Sequence, residues 1–96
     1  MPTESDEIRH NAAQRRFEVA VGDSLAVLDY APLDAATLDY NHTFVPPAMR
    51  GRGIASRLVR FALDYALERR LTVIPSCPFV ATYIKAHPRY QVLLGN

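Results

Sequence analysis

The sequence predicts a mixed α/β fold with an α+β mixed sheet: antiparallel strands, then a helix crossing over to a parallel strand, then a second short helix. Three observations carry this reading. Apolar residues alternate with polar or small ones in stretches between Phe17 and Val45, the period of half-buried strands. From Ile54 the apolar spacing lengthens to three and four residues, the period of an amphipathic helix. The apolar run Leu71-Thr72-Val73-Ile74 then follows, short enough for a buried strand.

Each element has its own local reason. Residues 1–14 are polar, with Glu4, Asp6, Glu7 and Arg9 around Ile8, and read as a flexible lead-in; residues 15–96 read as a single domain. Phe17, Val19 and Val21 alternate up to Gly22-Asp23-Ser24, which turns the chain into Leu25-Ala26-Val27-Leu28-Asp29-Tyr30, so a β-hairpin is expected. Thr37 to Val45 alternates again, which places Leu38, Tyr40, His42 and Phe44 on one face and Asp39, Asn41 and Thr43 on the other. Pro46-Pro47 stops that strand, because proline cannot donate to a ladder. The helix from Ile54 buries Ile54, Leu58, Phe61, Ala62, Tyr65 and Ala66 and turns Arg57, Arg60, Asp64 and Glu68 outward. Pro75-Ser76-Cys77-Pro78 caps a shorter helix from Phe79 to His87, ended by Pro88. Tyr90 to Leu94 is expected to return as a final strand.

Composition narrows the function classes. The chain has 96 residues, 11 Lys or Arg against 10 Asp or Glu, and one cysteine, so one small domain is expected, with no overall field suited to nucleic acid or an anionic membrane. Cys77 has no internal disulfide partner, and no apolar run reaches the length of a membrane span or signal peptide. A reducing, cytoplasmic setting follows as the default. His10, His42, His87 and Cys77 lack ligand spacing and the carboxylates are scattered, so no metal site is expected.

The most informative run is Arg50-Gly51-Arg52-Gly53-Ile54-Ala55, between a strand and a helix. The first turn of a helix has amides without intrahelical acceptors and about half a positive charge from the peptide dipoles. Glycines at 51 and 53 permit positive φ and let a diphosphate approach the main chain. Arg50, Arg52, Arg57 and Arg60 oppose the dipole there, an arrangement that a bound polyanion would make favourable.

These residues resemble the GCN5-related N-acetyltransferases, whose acetyl-coenzyme A loop follows Gln/Arg-x-x-Gly-x-Gly/Ala. The resemblance spans Phe17 to Leu94. Asn41-His42-Thr43, Val45-Pro46, Pro75-Ser76-Cys77-Pro78-Phe79 and Tyr83-Ile84-Lys85 with His87-Pro88 look, more narrowly, like the short acetyltransferase-like subfamily of YjdJ-type proteins. The resemblance implies acetyl-coenzyme A as co-substrate, held by Arg50, Gly51, Arg52, Gly53, Ile54, Ala55 and Ser56. Phe44 and Val45 would present backbone groups to the pantetheine arm and thioester. Typical members insert two helices between their first two strands to wall the acceptor site. This chain has only Gly22-Asp23-Ser24 there, which implies an open acceptor side.

Acetyl transfer needs a deprotonated nucleophile, a stabilised oxyanion and a proton for the departing thiolate. The resemblance points Tyr83 toward protonating coenzyme A sulfur; a packed aromatic is the alternative. Cys77 precedes a helix, where a thiol pKa falls and transient acetylation becomes available; a small buried apolar residue is the alternative. His42 suits a general base near neutral pH, or else a hydrogen-bonded core histidine. The resulting expectation is an acetyl-coenzyme A-dependent N-acetyltransferase acting on an amine, either a small molecule or a protein lysine. A non-catalytic acetyl-coenzyme A-binding adaptor or sensor is the rival.

Overall fold

The alternation that begins at Phe17 becomes the centre of a five-stranded sheet in the computed structural model, which describes residues 7–95. The strands are β1 (Ile8–Asn11), β2 (Arg16–Val21), β3 (Ser24–Asp34), β4 (Thr37–Phe44) and β5 (Thr72–Ile74), side by side in sequence order. The first four are antiparallel, and β5 runs parallel to β4. The connection between β4 and β5 contains a short 3-10 turn, Pro47–Met49, and the helix α1 (Ile54–Glu68). After β5 come α2 (Pro78–Ala86) and a 3-10 helix, Pro88–Leu94.

The predicted hairpin and crossover are present, and β3 runs four residues past the expected Tyr30. Its far end carries Pro32, tolerated because β2 pairs with β3 only as far as Asp29. Asp34 Oδ1 accepts from the Ala36 amide at 2.8 Å, which closes the tight turn into β4.

Two elements differ from expectation. Ile8–Asn11, within the segment read as a flexible lead-in, pairs with Arg16–Val19 as an edge strand; residues 1–6 lie outside the described residues. Tyr90 to Leu94, read as a strand, forms a 3-10 helix instead. Tyr90 and Leu93 are buried while Val92 is 72% exposed, and a three-residue spacing is the period of a 3-10 helix.

The buried sheet residues, among them Phe17, Leu28, Tyr30, Tyr40 and Val73, share one face. They form a single cluster with Leu58, Ala62 and Leu63 of α1, Val80 and Ile84 of α2, and Tyr90 and Leu93. Tyr40 ties sheet to helix, its hydroxyl donating to the Ala62 carbonyl at 2.6 Å. At the helix end Arg70 takes a left-handed conformation (φ 57°). The amides of Arg70 and Leu71 then return to the carbonyls of Leu67 and Ala66, a Schellman closure that aims the chain into β5. The other sheet face leaves Leu25, Phe44 and Ile74 36%, 44% and 39% exposed.

Candidate functional site

The site lies where β4 and β5 part company. Their pairing runs through three rungs, Thr37 with Thr72, Leu38 with Val73 and Asp39 with Ile74. Beyond the last rung β4 turns toward the glycine loop, and β5 gives way to Pro75-Ser76-Cys77 and α2. The amide of Cys77 reaches back to the Tyr40 carbonyl at 2.9 Å, bridging the two chains just past the last rung, where they diverge. Such an opening at the carboxyl ends of parallel strands is a recurrent ligand position in α/β folds.

On the β4 side, the chain leaves Phe44 and Val45 and folds over buried Met49. Arg50 Nε donates to the Val45 carbonyl at 3.0 Å, so Arg50 and Val45 close the loop on itself. Gly51 and Gly53 have φ values of 82° and 71°, and Gly53 caps α1 in the left-handed conformation. A Cβ at either position would meet nothing within 4 Å, so the loop is open on the side where a ligand would approach. The first intrahelical bond in this loop is from the Arg57 amide to the Gly53 carbonyl at 3.1 Å. The amides of Ile54, Ala55 and Ser56 therefore precede the helical ladder. The first turn has no acidic side chain, and Gly53 brings no capping acceptor. A depression of about 140 Å³ sits here, between Val45, Met49, Arg50, both glycines and Ile54 to Ser56. Arg52 is exposed beside it, outside the lining. The donor set and the open glycines fit a diphosphate.

The middle of β4 departs from simple alternation. Asp29 faces His42 and Tyr30 faces Tyr40, which leaves Asn41 as the extra residue of a β-bulge. Beyond it the faces exchange. His42 and Phe44, expected beside Leu38 and Tyr40, are exposed on the outer face. Thr43 takes the inner position opposite Leu28. Thr43 is thus the β4 side chain presented to Cys77, with Oγ1 3.5 Å from Sγ.

Cys77 is buried at the N-terminus of α2. Burial pushes its thiol pKa up, but the Thr43 hydroxyl and the amides of Val80, Phe79 and Thr43 outweigh that and leave it below the usual thiol value. Tyr83 is half-buried with its ring stacked on His87 at 4.0 Å and tilted toward Tyr90 at 6.1 Å. His87 Nδ1 lies 2.9 Å from the Tyr83 carbonyl. At the last β4–β5 rung, Asp39 Oδ1 is buried with no hydrogen-bond partner among the described residues. Sequence spacing singled out neither Thr43 nor Asp39. No group of three or more His, Cys, Asp or Glu placed to hold a metal occurs among the described residues, and no helix there is long and apolar enough to cross a membrane.

Comparison with known proteins places this geometry. A family model described as GCN5-related N-acetyl-transferase matches residues 16–93. The protein named NATD1 from Xenopus tropicalis is 36% identical over 94 residues, covering 96% of this chain and 86% of its own length. Human NATD1 is 36% identical over 88 residues, covering 90% and 78%. An NMR structure of a GCN5-like protein from Staphylococcus aureus superposes with a TM-score of 0.72 at 24% identity, covering 93% of this chain and 87% of that one.

Proposed function

The chain belongs to the GCN5-related N-acetyltransferase family, and on that premise we propose that it binds acetyl-coenzyme A along the Arg50–Ser56 loop and transfers the acetyl group to an amine. The observation that carries the reading is the run of β4 into a loop with two positive-φ glycines, open above, leading directly into the uncapped first turn of α1. The pyrophosphate is received by the amides of Ile54, Ala55 and Ser56, with Arg50 and Arg52 supplying positive charge. The pantetheine arm follows Phe44 and Val45, which brings the thioester to the cleft beside Cys77.

Cys77 is the acetyl carrier in this reading. Its thiolate attacks the thioester carbonyl, the carbon–sulfur bond to coenzyme A breaks, and Tyr83 protonates the departing thiolate. A deprotonated amine then attacks the acetylated Cys77. The amide forms, sulfur leaves as thiolate, and the second amine proton returns to Tyr83 through solvent. His42 lies on the exposed outer face, opposite to the face on which Thr43 meets Cys77, so in this reading the amine gives its first proton to solvent.

Single-turnover reaction with acetyl-labelled coenzyme A, followed by mass spectrometry of the protein and of polyamine or lysine-peptide acceptors, tests this. Label is expected first on Cys77 and then on the amine, and Tyr83→Phe is expected to slow its release from coenzyme A by roughly a hundredfold. Consumption no faster than in buffer for every amine would leave the non-catalytic adaptor or sensor. That second reading is favoured by the exposure of the outer sheet face. Calorimetry separates both from a general nucleotide site, for which coenzyme A and adenosine diphosphate would bind equally.

A further inference from the structure

The bulge at Asn41 decides which side chain meets Cys77. Unbroken alternation from Leu38 through Tyr40 would send Thr43 to the outer face. The extra residue instead sets Thr43 opposite Leu28, with its hydroxyl 3.5 Å from the sulfur. The main chain at Cys77 is fixed independently, since its amide is bonded to the Tyr40 carbonyl and Tyr40 is anchored on Ala62. What remains free is rotation about the Cα–Cβ bond, which has three staggered positions. A hydroxyl is suited to choosing among them in both protonation states, because it accepts from a thiol and donates to a thiolate.

We propose that Thr43 is a positioning residue for the acetyl transfer, its hydroxyl holding the Cys77 sulfur in the rotamer that faces β4. Its catalytic meaning rests on the reading of Cys77 as acetyl carrier, but the coupling of the two side chains is a property of the folded chain alone. Of the groups that favour the thiolate, the Thr43 hydroxyl comes first, ahead of the amides of Val80, Phe79 and Thr43. Asp39, Tyr40 and His42 on β4 and Tyr83 on α2 are titratable residues of the flanking elements, and none of them is among the groups that move the thiol.

Cys77 is the one cysteine of the chain, so the rate of iodoacetamide alkylation against pH reports on it directly. Thr43→Val is expected to raise the midpoint of that profile by about one pH unit, a roughly tenfold loss of thiolate below the midpoint, and Thr43→Ser to restore it. The proposal is overturned if the Thr43→Val profile superimposes on the wild type, or if Thr43→Ser shifts as far as Thr43→Val. Circular dichroism checks folding; if the valine variant does not fold, Thr43→Ala against Thr43→Ser makes the same comparison with the same two overturning results. Mass spectrometry of Cys77 in the wild-type protein after exposure to acetyl-coenzyme A separates the two ideas. A shifted profile without acetylation keeps the coupling and removes the carrier, whereas acetylation without a shift keeps the carrier and removes Thr43.

Discussion

Gly53 meets two separate demands, and substitution distinguishes them. Its φ of 71° is left-handed, a conformation that costs an L-residue with a side chain about 1 kcal/mol. A Cβ there meets open space, so no neighbouring residue excludes a side chain. Gly22, in the β2–β3 turn, has the same conformation (φ 60°) and the same open space. Gly53→Ala and Gly22→Ala are therefore expected to lower the melting temperature alike, by about 4–8 °C. Calorimetry with coenzyme A is expected to show lost affinity for Gly53→Ala alone, because only that Cβ stands on the loop proposed to receive the pyrophosphate. Equal coenzyme A affinity in both variants would contradict the loop assignment. At this scale the sequence is informative where the signal is local. Gly51, Gly53 and Cys77 are chemically distinctive in their immediate surroundings, and each lies where its neighbours predict. Thr43 is different, since its role depends on a register shift that one extra residue in β4 introduces.

The elements show the same division between local pattern and tertiary cause. The helix α1 and the hairpin are legible because their apolar periods persist over whole segments. Strand β1 is not legible, because Ile8 is the lone large aliphatic among charged residues; β1 forms by pairing with β2 and by packing the half-buried ring of His10 against the aromatic residues beneath it. That ring stacks on Phe17 at 4.6 Å, meets Tyr65 edge-on at 4.5 Å and places Nε2 2.6 Å from the Tyr30 hydroxyl. Burial, and then the charge of Arg69, hold its pKa below the ordinary 6.5. The unfolded chain consequently takes up a proton at this site before the folded chain does. Stability is lost as pH falls below about 6.5, and the loss stops growing once pH passes under the lowered folded value. His10→Gln removes this contribution while leaving His42 and His87 in place. Urea midpoints measured at neutral and mildly acidic pH are expected to fall less in that variant than in the wild type. Parallel declines would show that the protonation of His10 does not set the loss of stability in acid.

Across the whole molecule, the order of periods along the chain is enough to give the architecture, because short connections and a right-handed crossover leave few alternatives. What it does not give is how the C-terminal segment is fastened, and that segment covers the core through side chains far apart in sequence. Tyr90, in the final 3-10 helix, accepts from Arg89 and donates to Asp64 of α1 at 2.8 Å, while Arg89 also lies 3.5 Å from Asp64. Burial, then the hydrogen bond to Asp64, push the Tyr90 pKa from 10.0 to about 12. The sign follows directly: this contribution to stability is complete below the unfolded value near pH 10 and is lost as pH rises toward about 12. Tyr30 and Tyr40 are shifted in the same direction by burial, so alkaline unfolding of the wild type combines all three. Tyr90→Phe isolates one of them. At pH 8 it is expected to cost about 1 kcal/mol for the lost hydrogen bond. Between pH 10 and about 12 its stability is expected to decline less steeply than that of the wild type. Urea unfolding across that range checks both statements, and equal slopes would mean that the C-terminal helix is held to α1 by the packing of Tyr90 and Leu93 without help from Asp64.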